Sequence, residues 1–296
     1  MSRLLIAGFR RYTKNISFWL AIAVSIGVGI WGGYHSSSCY DFDDVYFIVA
    51  LFTYAVIVSL IIGREYSDGI FRNKIAVGYS KGQIFISETI LAVCVSMGMF
   101  IISTAIFIAF NYTWFQFIPF GKLALIYLGV LLITLAFVSI FVLVSCTISN
   151  KAIASIINIL LVLLIIFAAA EVNKLLRQPQ YYDYYEYNDK TGEEIIIENA
   201  ELNENYIDGS LRTALETVEY ILPYGKFAEY ETIFSKCLVH LIEREEYQEY
   251  DYFTNGKFRF EKEELQLINT VPFYQIGLII VLLGSGYIIF KKKDFK

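Results

Sequence analysis

The sequence predicts an all-α polytopic membrane protein. It has six transmembrane helices, an interfacial helix ahead of them, a short helix on the connector between the second and third, and a small α+β insertion before the last. Three observations lead there. Of the 296 residues, 56% are hydrophobic and only 18% are charged, whereas globular chains carry about a quarter charged residues. Six stretches approach or exceed the roughly 20 apolar residues that a helix, rising about 1.5 Å per residue, needs to cross about 30 Å of hydrocarbon. Lysine and arginine crowd the short segments on one side of those stretches. This composition excludes a cytosolic enzyme and a secreted disulfide scaffold. A formal charge of −5 offers no basic surface for nucleic acid.

Residues 1–16 come first. Ser2–Asn15 sets Leu4, Leu5, Phe9 and Tyr12 among Arg3, Arg10, Arg11 and Lys14, the pattern of a helix lying among the headgroups in contact with membrane lipid. The spans follow at Ser17–Tyr34, Val45–Ile62, Ile84–Phe110, Leu123–Thr147, Ala152–Ala170 and Phe273–Phe290, five within residues 17–170 and one within 271–290. The first lacks a small-residue cleavage site and carries bulky Trp31 near its end, so it reads as a retained helix rather than a signal peptide. None of the six holds Lys or Arg, and Glu88 is their only acid. An ionisable group in a span is costly unless it meets water, a partner or the interface. Glu88 is therefore a candidate pathway residue facing a vestibule, or else a residue at the headgroup boundary. Between the third and fourth spans, Trp114, Phe115, Phe117 and Phe120 look like an aromatic belt. Asn111-Tyr112-Thr113 matches a glycosylation sequon, which by itself carries little weight.

Six spans put both termini on one side. That side collects 13 of the 24 basic residues, including Arg64, Arg72, Lys74, Lys81, Lys151 and the tail at 291–296, against only Glu65, Asp68 and Asp294. An excess of Lys and Arg in short loops marks the cytoplasmic side. Residues 171–270 then lie outside, with 22 acids against 10 bases and 12 of the 23 tyrosines. They are too rich in aromatic and aliphatic residues for simple disorder. Tyr181–Tyr187 and Glu193–Glu198 flank a polar turn and predict a β-hairpin; Leu211–Leu222 predicts a helix ended by Pro223; helical spacing predicts another over Lys226–Glu246. Cys39 and Cys237 share this outer side, where they either pair or pack as free thiols.

Signals for chemistry are sparse. The chain has no Gly-x-x-x-x-Gly-Lys-Ser/Thr run to cradle a nucleotide. His35 and His240 lie in no zinc-binding spacing, and no Gly-x-Ser-x-Gly elbow occurs. Glu243, Glu245, Glu246 and Glu249 read as a solvated helix face rather than a cation site. The expectation is a chain that is not an enzyme and holds no cofactor or metal of its own.

One segment on the basic side is informative. Residues 63–82 are too long for a tight turn and too polar to insert. Arg64-Glu65 open the segment, Asp68-Gly69 interrupt it, Arg72-Asn73-Lys74 precede apolar Ile75-Ala76-Val77, and Gly78 breaks the helix before Ser80-Lys81. A helix with charged and apolar faces across the mouth of the bundle suits docking, and it equally suits an ordinary interfacial connector.

This segment resembles the signature loop of ABC exporter permeases of the type-2 class, with Glu65, Gly69, Arg72, Ile75, Gly78 and Ser80-Lys81 in the expected places. The likeness extends along the chain through the interfacial helix, the six spans, the short Ser149-Asn150-Lys151 turn and Leu222-Pro223-Tyr224-Gly225. Ile70 departs from the usual Thr or Ser, Glu88 stands near a usual Lys, and the outer segment is larger than typical. The resemblance implies a bacterial plasma membrane, a second permease chain, and a cytoplasmic ABC ATPase dimer that holds ATP and Mg. That dimer would dock on a coupling helix over Glu65–Lys81, with Arg64, Glu65, Gly69, Arg72, Lys74, Gly78 and Lys81 as coupling residues. Glu65 would meet a basic residue of the ATPase, and Gly69 would permit close approach. An amphipathic peptide is the first candidate for export, because an acidic outer domain attracts cationic material. The rival reading is a sensor or immunity protein whose outer domain binds a ligand without transport.

Overall fold

The computed structural model describes residues 1–39, 45–116, 118–188, 193–233, 235, 253–254, 257–258 and 260–293. Six helices in it are long and apolar enough to cross a membrane. They are α2 (Ile16–Cys39), α3 (Val45–Ser67), α5 (Lys81–Phe110), α7 (Phe120–Thr147), α8 (Lys151–Leu176) and the last helix, Lys262–Lys292. Within the bundle α2 packs on α5, α3 on α7 and α8, and α7 on the last helix. Ahead of them α1 (Ser2–Thr13) buries Leu4, Gly8 and Tyr12, one residue per turn, and lays that stripe against α5.

Apolar packing alone does not register these helices, because lipid solvates Leu as well as another helix does. Polar side chains add specificity at the centre. Asn158 of α8 donates its Nδ2 to Ser59 Oγ of α3 at 2.8 Å and to Ser145 Oγ of α7 at 3.2 Å. Ser145 in turn donates to Ser59 at 3.3 Å. All three are buried. Asn158→Ala should lower stability by about 1–2 kcal/mol, somewhat above the average interhelical hydrogen bond because one amide serves two helices. A leftward shift in an SDS unfolding titration from mixed micelles would register it.

Both helices that flank the insertion run beyond their expected ends. The last helix starts at Lys262, eleven residues before Phe273, and runs through Pro272. Glu261 caps it in a capping box with Glu264, and Leu267, Ile268 and Val271 bury their side chains. Packing therefore extends the helix well beyond the apolar run. At the other end of the insertion α8 continues to Leu176. The insertion thus stands on two helical extensions rather than on loops.

Inside the insertion, β1 (Tyr181–Asn188) pairs antiparallel with β2 (Glu193–Leu202), the hairpin predicted from two runs flanking a polar turn. Helix α9 (Gly209–Ile221) begins at an Asp208 cap and ends before Pro223, and residues 227–233 are helical. A two-residue ladder, Phe253–Thr254 with Lys257–Phe258, was not expected. Tyr224 and Phe227 stack on Phe47 of α3, at 6.3 and 4.3 Å between ring centroids, and Gln275 of the last helix donates to Tyr220 O at 3.1 Å. Lys226 bridges Glu219 and Glu229, each at 2.5 Å. Burial lowers its pKa, but the hydrogen bonds it donates to the two carboxylates outweigh that and leave it raised. The remainder of the Lys226–Glu246 helix, the 243–249 acids, Cys237 and residues 294–296 lie outside the described residues, as does the side chain of Cys39.

Of the four aromatics expected to form a belt between α5 and α7, Phe117 and the side chain of Trp114 lie outside the described residues, and the other two differ from each other. Phe115, in the short helix α6 (Tyr112–Phe115), is buried against Phe107 and Tyr127, whereas Phe120 is exposed. Asn111 is fully buried and donates its Nδ2 to Phe107 O at 3.1 Å and to Gly33 O at 3.4 Å, so this sequon is a helix-end bolt and is closed to glycosylation.

Candidate functional site

The connector between the second and third spans is built differently from the expected Glu65–Lys81 helix. Helix α3 does not stop with the apolar run but continues through Arg64, Glu65 and Tyr66 to Ser67. Glu65 therefore belongs to the second span. Gly69, at φ 66°, turns the chain, and α4 occupies only Ile70–Ala76. At its far end Gly78, at φ 98°, closes a Schellman motif: Gly78 N–H donates to Ile75 O at 2.9 Å and Tyr79 N–H to Lys74 O at 3.1 Å. Ser80 and Gln83 then form the capping box that starts α5. A Cβ on Gly69 would meet open space. What glycine supplies within this chain is the left-handed backbone.

With two turns of helix held between two glycines, side chains decide where α4 sits. Phe71 is 1% exposed and packs edge-on against Tyr66 and Phe290. Beside it Lys74, also buried, donates from Nζ to Glu65 Oε2 at 2.7 Å and to Glu88 Oε1 at 2.5 Å. Arg11 of α1 approaches Glu65 Oε1 at 3.6 Å. One lysine on the connector thus joins a carboxylate from the end of the second span to one from the start of the third. Each charge taken from water is costly, and the cluster holds because the opposite signs meet in hydrogen-bonding geometry.

A second tether ties the other helix ends on this side. Lys293 donates to Thr147 O at 2.7 Å and to the Tyr66 hydroxyl at 2.9 Å, and that hydroxyl donates to Cys146 O. Burial pushes the Lys293 pKa down. Lys81 donates to Lys293 O at 2.5 Å.

Of the residues predicted from sequence, the structure brings Glu65, Lys74 and Glu88 into one cluster. Glu65 faces inward to Lys74 and Arg11, occupied within its own chain, and Glu88 faces the same lysine. Arg64 reaches Ser17 Oγ at 3.4 Å, Lys81 serves the second tether, and Gly69 and Gly78 shape the turns. Only Arg72 lies on the exposed face of α4, with Asn73, Ala76 and Val77, the last 77% exposed. Sequence reasoning missed Arg11 and Tyr12. The signal available for them was the Leu4, Gly8, Tyr12 stripe, which turns the α1 C-terminus towards the acids.

Between α1, α3 and α5 the cluster opens on a cleft of about 360 Å³. Arg11, Tyr12, Lys14, Arg64, Glu65 and Glu88 are among the residues that line it. Burial raises the Tyr12 pKa, against the lowering influence of Arg64. Among the described residues no group of three or more His, Cys, Asp or Glu is placed to hold a metal ion. No family model, curated protein or solved structure matches the chain.

Proposed function

We propose that the chain is the transmembrane permease subunit of an ATP-driven ABC exporter in a bacterial plasma membrane. It works with a second permease chain and a separate cytoplasmic ATPase dimer, and it carries an amphipathic peptide or another hydrophobic substrate. The observation that carries this reading is the Glu65–Lys74–Glu88 cluster. A connector that only joined two spans needs no buried lysine bonded to both of them. A connector that passes force to two spans needs a stiff joint, and Phe71 and Lys74 make one. Its outward face keeps Arg72 and Val77 free of the bundle, as a docking face requires.

Affinity purification of the chain from its native host tests the reading. An ATPase with a nucleotide-binding loop should copurify, and its hydrolysis in proteoliposomes should rise with the exported substrate. A chain that purifies alone and binds a ligand through residues 171–270 would favour the sensor reading. Topology is checked separately. Cysteines introduced at Ser2 and Ser67 should be shielded from an impermeant thiol reagent in intact cells, and one at Asn188 should react. External labelling at Ser67→Cys would invert the orientation.

A further inference from the structure

We propose that the cleft between α1, α3 and α5 binds a zwitterionic phospholipid headgroup bearing a primary amine. Its phosphate lies against Arg64 and Lys14, and its ammonium against Glu88 Oε2 and the Tyr12 hydroxyl. The proposal does not rest on the exporter reading.

The cleft walls carry both signs of charge left uncompensated. Lys14 and Arg64 form no ion pair with any described carboxylate, while Asp68 accepts only from Ser67 Oγ at 3.3 Å. Deeper in, Glu88 uses Oε1 on Lys74 and leaves Oε2 buried without a donor. The Tyr12 hydroxyl is likewise buried without a partner. Buried polar atoms are almost always satisfied, so a cleft lined by two residues with such atoms suits a ligand that brings its own hydrogen-bond donors.

Charge and donors narrow the ligand. A purely anionic headgroup would serve Arg64 and Lys14 and leave Glu88 Oε2 without a donor. A choline headgroup carries no N–H to give it. A primary ammonium supplies three donors beside a phosphate, matching both walls at once. The depth also fits. Trp19 is 62% exposed and donates Nε1 to Thr13 O at 3.1 Å at the joint between α1 and α2. Tryptophan in that setting marks the headgroup level, where a lipid can enter from the side.

The test uses the full chain purified in detergent and native mass spectrometry with equal amounts of phosphatidylethanolamine, phosphatidylcholine and phosphatidylglycerol. Phosphatidylethanolamine should be retained about tenfold more strongly than either competitor, the ratio that one charge-assisted hydrogen bond supports. Tyr12→Phe and the pair Lys14→Gln with Arg64→Lys, which keeps a cation beside Ser17 but loses the guanidinium fork, should each weaken that retention without lowering the lipid-free melting temperature. Equal retention of the ethanolamine and choline lipids would overturn the proposal, as would retention unchanged in these variants. Preference for phosphatidylglycerol would show the cations acting alone and overturn the ammonium half. Soluble phosphoethanolamine binding as tightly as the lipid would make the ligand a free aminophosphate and sink the lipid assignment.

Discussion

Lys74→Met should be the most destabilising single substitution in the chain, costing about 3–5 kcal/mol, the penalty for stranding buried charges by deleting their partner. Methionine nearly preserves the length and apolar stem of lysine, so packing beside Phe71 survives and the loss is electrostatic. Glu65 keeps Arg11 at 3.6 Å, but Glu88, with no exposed surface, keeps nothing. Two carboxylates then face each other at the inner end of the cleft. The signature that separates this from ordinary core damage is rescue. Removing the stranded charges by Glu65→Gln and Glu88→Gln in the Lys74→Met background should recover most of the stability, because an uncharged buried set is often as stable as the ion cluster it replaces. SDS unfolding midpoints for the wild-type chain, Lys74→Met, the Glu65→Gln/Glu88→Gln pair and the triple variant measure the coupling directly. If Lys74→Met unfolds like the wild-type chain, α4 is not held by its lysine, and the stiff joint proposed for it disappears.

How far the sequence revealed this joint follows from what governs each part. The six spans were legible because length and hydropathy are local properties, and Gly69 and Gly78 because left-handed turns select glycine. Hidden was the end of α3. The apolar run stops at Ile62, yet hydrogen bonding carries the helix to Ser67, and that single turn moves Glu65 from the connector to the second span. Its partner Lys74 lies nine residues away and its neighbour Glu88 a further fourteen, with a turn intervening at each glycine. No spacing rule joins residues across two turns. The early start of the last helix was hidden for a related reason. Glu261 to Asn269 is polar enough to pass for loop, and only its packing of Leu267 and Ile268 shows why it is helical. Glu88 stood out in sequence as an acid in a span, but composition did not identify the lysine it meets.

The second large effect should come from the exposed face of α4. Because Glu65 is committed to Lys74 and Arg11, Glu65→Lys would place a third cation among two others and break the joint from within. A loss of ATPase in that variant would say nothing about docking. Arg72 and Val77 are the informative positions. Arg72 is exposed, makes no ion pair with a described residue and offers five donors to a partner carboxylate. Val77 stands 77% exposed at the end of the helix, an apolar side chain that water solvates poorly. Arginine is enriched among the residues that dominate interfaces, and loss of such a residue costs about 2 kcal/mol or more, roughly thirtyfold in affinity. If α4 docks the proposed ATPase, Arg72→Glu and Val77→Asp should each strip that subunit during purification, and together should abolish transport-linked hydrolysis. Neither side chain supports the bundle, so expression and the SDS unfolding midpoint should match the wild-type chain. Those controls separate docking from folding. Retention of the ATPase and full coupled hydrolysis in the double variant would leave α4 an ordinary connector and remove the residue-level basis for the exporter reading.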